Sequence, residues 1–251
     1  MSYLPNIDKI INLVTIDSTN TEAHKRREEF AGQNVIIVSD TQTTGQGQQG
    51  RQWESGRGLG LWMTLFLGRP HHLKYNFQLL SHYTGLILHK AISKQVSSDL
   101  TLKWPNDIMI GRRKCGGILT KIQWLGDSAV SVIIGVGVNL SHEPTDFSES
   151  IRETATSLKH EGWSDPDRGV LLECFIQEFF TQMSILNTPN DLVAAYNKTA
   201  FQIDKNVEWV ASDQKLSGKF LGINNKGEAQ IQIKDKHHNF RNGEISISPR
   251  N

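Results

Sequence analysis

Between residues 43 and 58 the chain reads Thr-Thr-Gly-Gln-Gly-Gln-Gln-Gly-Arg-Gln-Trp-Glu-Ser-Gly-Arg-Gly. Glycine fills five of these sixteen positions, Gly45, Gly47, Gly50, Gly56 and Gly58, and almost every other side chain is polar. The flanks are the opposite: strand-like runs, Val35-Ile36-Ile37-Val38 and Leu59 to Leu67, lead in and out. A long polar loop held between two strands is more often a binding loop or lid than a plain connection. Without Cβ atoms its backbone can approach a ligand closely. Ordering it costs entropy, so the loop is expected to be mobile until something orders it. Arg51 and Arg57 place cations on either side of Trp53. No Gly-Lys-Ser/Thr follows, which excludes a P-loop, and strand rather than helix comes next, which excludes a dinucleotide fingerprint.

The rest of the chain alternates strands with helices. Ile10 to Ile16 reads as a first strand, stopped by Asp17-Ser18-Thr19-Asn20. Any of those four residues suits a helix cap, and Thr19 with Glu22 fits a capping box for a charged helix over Glu22 to Phe30. Val35 to Asp40 and Leu59 to Leu67 are the next strands. Apolar residues near helical spacing over Tyr75 to Val96 predict one buried helix, with Gly85 a close-packing point. Leu100 to Trp104, Ile108 to Ile110, Lys114 to Trp124 and Ala129 to Leu140 then read as successive strands. Their turns deliver polar residues: Asn106 and Asp107, then Lys114, then Asn139. Beyond a polar loop at Ser141 to Ser150, Thr154 to His160 reads as a short helix. Ser164-Asp165-Pro166-Asp167 starts a longer one, with Pro166 at the first helical position. Another short helix covers Asp191 to Lys198. From Gln202 the pattern becomes short alternating segments between turns, including one at Ser212-Asp213, which predicts a small antiparallel barrel.

Net charge is +1, so nothing in the composition calls for nucleic acid or an anionic membrane. The nine histidines show no metal-ligand spacing; His71-His72 and His237-His238 read as exposed turns. Two cysteines, Cys115 and Cys174, make no disulfide framework and fit a reducing cytoplasm. Both read as core residues. No signal peptide or membrane-spanning run is visible.

Four clusters occur in a telling order: Gly45-x-Gly-x-x-Gly-Arg-x-Trp53, Lys103-Trp-Pro-Asn-Asp107, Lys114-x-x-Gly-Ile-Leu119 and Gly135-x-Gly-x-Asn139. Together with Ser18-Thr19-Asn20 and Gly243-Glu-Ile-Ser246, they resemble the biotin–protein ligases over nearly the whole chain. The resemblance implies an α/β (α+β type) fold: a class II synthetase-like catalytic domain over 1–201, its mixed sheet packed by helices, and an SH3-like barrel over 202–251. It implies ATP-dependent attachment of biotin to a lysine of a biotin carboxyl carrier domain through biotinyl-5′-AMP, with Mg²⁺. The carrier would belong to acetyl-CoA carboxylase or a similar carboxylase.

By the same resemblance, Ser18, Thr19, Asn20 and Gln42 would bond the ureido ring and its surroundings. Gly45, Gln46, Gly47, Gln48 and Gly117 complete the biotin side. Arg51, Trp53, Asn106 and Asn139 would serve the nucleotide. Lys114 would sit at the carboxylate and α-phosphate, and Asp107 would act on Mg²⁺ or on the incoming lysine amine. Lys114, Arg51 and Asp107 are the expected catalytic residues.

The chain departs from the family pattern twice. Many relatives read Gly-Arg-Gly-Arg-Arg-Gly-Arg in the loop, where this chain has Gln46, Gln48 and Gln49. Each glutamine removes a positive charge facing an anion, so weaker nucleotide affinity or faster escape of the adenylate is expected. Lys121 stands where an acid is common. The chain starts almost at the first catalytic strand, leaving no room for the winged helix of repressor relatives, so specific DNA binding is not expected. Monomer and homodimer both fit, with Ala129 to Leu140 the place for edge pairing between subunits. Two other readings are a lipoate ligase or lipoyl/octanoyl transferase of the same fold, and a non-catalytic biotin-binding protein.

Overall fold

The computed structural model describes residues 4–70, 76–96, 99–211 and 214–247. His71-His72, Tyr75 and Ser212-Asp213 lie outside the described residues. The main sheet contains β1 (Lys9–Ile16), β2 (Asn34–Gln42), β3 (Gly60–Leu67), β4 (Leu100–Lys103), β5 (Asp107–Ile110), β6 (Arg113–Leu125) and β7 (Ser128–Asn139). Their order is β1-β2-β3-β7-β6-β5-β4. β1 and β2 are parallel and all other neighbours antiparallel, so the sheet is mixed, as expected.

Strand alternation splits the core in two. Val35 and Ile37 of β2 face α1 (Thr19–Lys25), where they join Ala23, Phe66 and Ile133. Ile36 and Val38 face the larger core under α2 (Leu80–Ser93) and α3 (Arg168–Thr181). β3 is buried along its whole length, as a central strand covered on both faces must be.

Several local expectations give way to competing hydrogen bonds. The Thr19–Glu22 capping box does not form. Ser18 holds the cap position without a side-chain capping bond, and the Thr19 amide and hydroxyl both donate to Gln42 Oε1, at 2.8 and 3.1 Å. The α1 helix ends at Lys25 rather than near Phe30. A 3-10 turn, Phe77–Leu79, precedes α2, which stops at Ser93. Asp167, not Pro166, sets the start of α3. Its carboxylate caps the Gly169 and Val170 amides, leaving the proline ahead of the helix. Residues 154–160 form no helix. The Lys114 amide donates to Thr154 O (2.7 Å) and the Thr156 amide to Lys114 O (2.9 Å), so this segment is spent as an edge partner of β6. Residues 132–138 of β7 are paired on both sides, which removes them as an intersubunit edge; the outer strands of this sheet are β1 and β4, and Leu102 of β4 also bridges Ala200.

After α4 (Pro189–Thr199) come β8 (Asn206–Ala211), β9 (Gln214–Ile223), β10 (Ala229–Ile233), β11 (Lys236–Phe240) and β12 (Glu244–Ile247). They form one antiparallel five-stranded sheet, ordered β11-β10-β9-β8-β12, consistent with the SH3-like barrel. His237 and His238 lie within β11, not in a turn; pairing with β10 holds this polar strand despite its lack of apolar alternation. The barrel is packed onto the rest of the molecule. Val207, Phe220 and Ile245 belong to the same core cluster as Tyr83 and Tyr196. Buried Gln202 accepts the Trp104 amide at 3.1 Å, and Trp104 Nε1 donates to Gly227 O at 3.1 Å. Trp104 is thus a core residue. Cys115 is buried, and burial pushes its thiol up; Cys174 is half-buried against the same core.

The junction has a pH signature. His82 is buried edge-on against Tyr196, ring centroids 4.9 Å apart, and burial pushes its pKa from 6.5 down to about 4. The folded state therefore binds less proton than the unfolded chain between these values. Stability from this site is complete above about pH 6.5 and is lost as pH falls toward 4, by about 3 kcal/mol at most. Unfolding free energies at pH 7.5 and 4.5 check this: His82→Phe is expected to lose less stability on acidification than wild type. Equal losses would show that His82 does not carry the effect.

Candidate active site

Register places the site. On the α1 side of the sheet, Asp107, Gly117, Gly137 and Trp62 lie in one row across β5, β6, β7 and β3. Leu119, Gly135 and Thr64 form the next. Three glycines at adjoining positions remove side chains from the sheet and leave a trough. Trp53 fills one part of it: a Cβ on Gly137 would lie 2.8 Å from its Cε2 and Nε1, and one on Gly117 would lie 3.2 Å from Cζ3. Asn20 lies over Gly135 in the other part.

The glycine-rich loop that delivers Trp53 is an internally paired ribbon. The Trp53 amide donates to Gly45 O (2.9 Å), Gln46 bridges Gln52, and the Gly47 amide donates to Arg51 O (2.7 Å). A 3-10 turn at Gln48–Gly50 closes the tip, with Gln49 left-handed at φ 56°. Gly45 is required by contact, since a Cβ there would lie 2.5 Å from Trp53 O.

A cavity of about 460 Å³ runs along this trough. One end is uncharged. Ser18, Thr19, Asn20 and Gln42 line it, with the Ser18 hydroxyl free of any capping bond. Behind them the buried Thr64 hydroxyl sits 2.8 Å from Thr19 Oγ1 and 2.5 Å from Asn20 Oδ1. Gln42 ties this end to the loop through Ser55 (3.0 Å). The other end is charged. Lys114 Nζ lies 2.5 Å from Asp107 Oδ1 and 5.2 Å from the Trp53 ring centroid. Both ionic groups are only partly exposed, 34% for the lysine side chain and 18% for the carboxylate.

Gln46, Gly47, Gln48, Arg51, Asn106 and Asn139 also line the cavity, whereas Gly45 and Gln49 do not. Asn106 Nδ2 donates to Ile118 O at 2.6 Å and Asn139 Nδ2 to Thr156 O at 3.0 Å, so both asparagines lock the backbone around Lys114. Arg51 pairs with Glu244 of β12 at 2.6 Å, which ties the ribbon to the barrel.

Three features escape a reading of the sequence alone. Thr64 is one of them. The second is a wall formed by Phe147, Ile151, Thr154 and Ala155, from a segment that reads as polar loop and helix. Ser148 clasps it to the glycine ribbon through Glu54, Oγ to Oε1 at 2.5 Å. Phe147 is set by stacking on His142, centroids 4.8 Å apart; burial lowers the His142 pKa and favours the neutral ring. The third is Arg112, a cation that lines the cavity together with Lys103 of the Lys-Trp-Pro-Asn-Asp cluster. Among the described residues no three acidic, histidine or cysteine side chains group to hold a metal ion.

A trough with an uncharged hydrogen-bonding end, a cationic end and an apolar wall can hold a ligand that is polar and uncharged at one end and anionic at the other. The model of the biotin/lipoate A/B protein ligase family matches residues 13–139, and the chain belongs to that family. It is 30% identical over 236 residues to the bifunctional ligase/repressor BirA of Bacillus subtilis, across 92% of this chain and 72% of that protein. Identity to the biotin–[acetyl-CoA-carboxylase] ligase of Mycobacterium tuberculosis is 25% over 222 residues, across 86% and 80%. The solved biotin protein ligase from Aquifex aeolicus, in complex with biotin and ATP, superposes with a TM-score of 0.80 at 24% identity, over 97% of this chain and 100% of that one. That likeness establishes the fold.

Proposed function

We propose that this protein attaches biotin to a lysine of a carrier domain, with ATP as the second substrate. A biotin carboxylate oxygen bonds to the α-phosphorus and the α–β phosphoanhydride bond breaks, releasing pyrophosphate. The deprotonated carrier lysine then attacks the acyl carbon; an amide forms and AMP leaves. One observation carries the reading: a single cavity joins the uncharged polar end to the Lys114 end.

Each end has a chemical match. A urea offers two N–H donors and one carbonyl acceptor, which Ser18, Thr19, Asn20 and Gln42 can meet. A site matched to such groups rejects a ligand lacking them. The dithiolane of lipoate would leave these polar groups unpaired, so biotin is the better fit. Thr64→Val keeps the shape and removes the hydroxyl behind Thr19 and Asn20. It is expected to weaken biotin binding about tenfold by calorimetry; unchanged affinity would remove Thr64 from the account.

At the other end Lys114 stabilises negative charge as it develops in both half-reactions. Trp53 and the Phe147–Ile151 wall cover the nucleotide and exclude water from the mixed anhydride. Mg²⁺ arriving with the triphosphate needs few protein ligands, and Asp107 is the carboxylate beside Lys114 that would meet it. Asp107 can equally receive the acceptor amine once Lys114 turns to phosphate. The carrier we assign is the biotin carboxyl carrier domain of acetyl-CoA carboxylase or a related enzyme, met in the cytoplasm.

Of the three loop glutamines, Gln46 and Gln48 face the cavity. Gln48→Arg is therefore expected to slow adenylate release by about threefold to tenfold, since a charge-assisted bond to phosphate replaces a neutral one. Stopped-flow release of the adenylate measures this, and an unchanged rate would remove the charge argument. The function is tested by incubating the protein with a carrier domain, biotin, ATP and Mg²⁺. Intact mass should rise by one biotinyl group at a single lysine. A carrier left unmodified while lipoate is attached would move the assignment to the sister activity.

A further inference from the structure

Two of the residues that depart from the family pattern, Gln46 and Lys121, lie 75 positions apart in the chain and meet in the structure. Lys121 Nζ donates to Gln46 Oε1 at 3.0 Å, and Gln46 Nε2 donates to Thr21 Oγ1 at 3.2 Å. Strand alternation explains why Lys121 arrives there. Gly117, Leu119 and Lys121 are alternate residues of β6, and each pairs with the matching residue of β7: Gly137, Gly135 and Ile133. Lys121 therefore faces the loop side, two positions beyond Leu119. One position pair further on, Gln123 Nε2 lies 3.2 Å from His24 Nδ1 of α1. Gln46 thus sits where α1, β6 and the glycine ribbon converge, at the foot of the ribbon and next to the uncharged end of the cavity.

We propose that Lys121 is a positioning residue for the biotin-binding loop, acting through Gln46. An arginine at position 46 would face a like charge at 121; a glutamine accepts from that lysine with its carbonyl and still donates to Thr21 with its amide. The two positions are therefore coupled: the charge carried at 121 decides which side chain position 46 can hold. Lys121 touches no reacting atom. Its work is to hold the ribbon down so that Gly47, Gln48 and Trp53 stay over the cavity, which slows the escape of ligand from beneath them.

The assignment of biotin as that ligand rests on the function proposed above; the clamp itself does not. Hydrogen exchange of residues 43–58, without any ligand, reads the clamp directly. Lys121→Ala is expected to speed exchange of this segment about twofold to fivefold, the range for one exposed charged hydrogen bond. With biotin as probe, its dissociation rate and KM should rise by the same factor, while the adenylation rate at saturating biotin stays within twofold. Gln46→Arg should loosen the segment as much as Lys121→Ala. Adding Lys121→Glu to Gln46→Arg should return exchange of the segment to the wild-type value, because opposite charges then meet at the two positions. Wild-type exchange in Lys121→Ala overturns the proposal, and so does a double variant no tighter than Gln46→Arg alone. Wild-type protein that fails to bind biotin would instead overturn the functional reading, and the exchange series would still decide the clamp.

Discussion

Lys114→Ala is expected to lower the rate of biotin-dependent pyrophosphate release by about 10²–10³, the cost of removing one preorganised charge from a developing anion. The surroundings make the loss larger than that of a surface lysine. Lys114 Nζ is 2.5 Å from Asp107 and stands over Trp53 at the charged end of the cavity. Without it, the Asp107 carboxylate is left unpaired where two further anions, a carboxylate and a phosphate, must come together. Their mutual repulsion then adds to the lost attraction. Lys114→Arg keeps the charge but not the compact ammonium, and should recover only part of the rate. Biotin binding at the uncharged end should change far less than turnover. Single-turnover release of pyrophosphate, with calorimetry on the same variants, separates the two effects. A Lys114→Ala rate within a few fold of wild type would displace this residue from the chemistry.

Gly137→Val should be nearly as severe by a different route. The Gly137 backbone is ordinary β-strand, so a valine meets no strain there and suits the strand. What it meets is Trp53: the Cβ alone would lie 2.8 Å from two atoms of the indole ring. The ring must leave the trough, and it takes with it the surface beneath Lys114 and the Trp53–Gly45 rung of the ribbon. The expected result is a native circular dichroism spectrum, an altered tryptophan fluorescence maximum, and an ATP-dependent step slowed about 100-fold, the scale of misplacement in a preorganised site. Unaltered fluorescence with unaltered kinetics would show that the glycine is not there to house the ring.

The parts of this site that could be read from sequence are those written in contiguous stretches. The turn at Asn106-Asp107, Lys114 and the glycines of β6 and β7 fall at strand ends or in rigid register, so spacing along the chain carries their geometry. Thr64 is different. It stands out only as the one polar residue in the run Leu61–Leu67, and its meaning appears when register sets it beside Gly135 and Asn20. The Phe147–Ile151 wall was hidden for a related reason: its apolar residues Phe147, Ile151 and Ala155 are four apart but isolated among polar ones, and the segment is placed by the clasp to Glu54 and by pairing with Lys114. That same pairing explains why residues 154–160 look helical and are not. β11 was missed because a strand rich in histidine and lysine shows no alternation, and its place is set by β10 alone. The partnership of Gln46 with Lys121 is non-local, so each residue looked like an isolated departure until the sheet brought them together.

The central claim is that one cavity activates biotin with ATP. Isotope exchange between pyrophosphate and ATP, without carrier protein, tests it most directly, because exchange requires the adenylate to form and reverse in place. The account predicts exchange that depends on biotin, is not supported by lipoate, and falls with Lys114→Ala. Exchange with lipoate and none with biotin, or no exchange with either in protein that binds biotin, would contradict it.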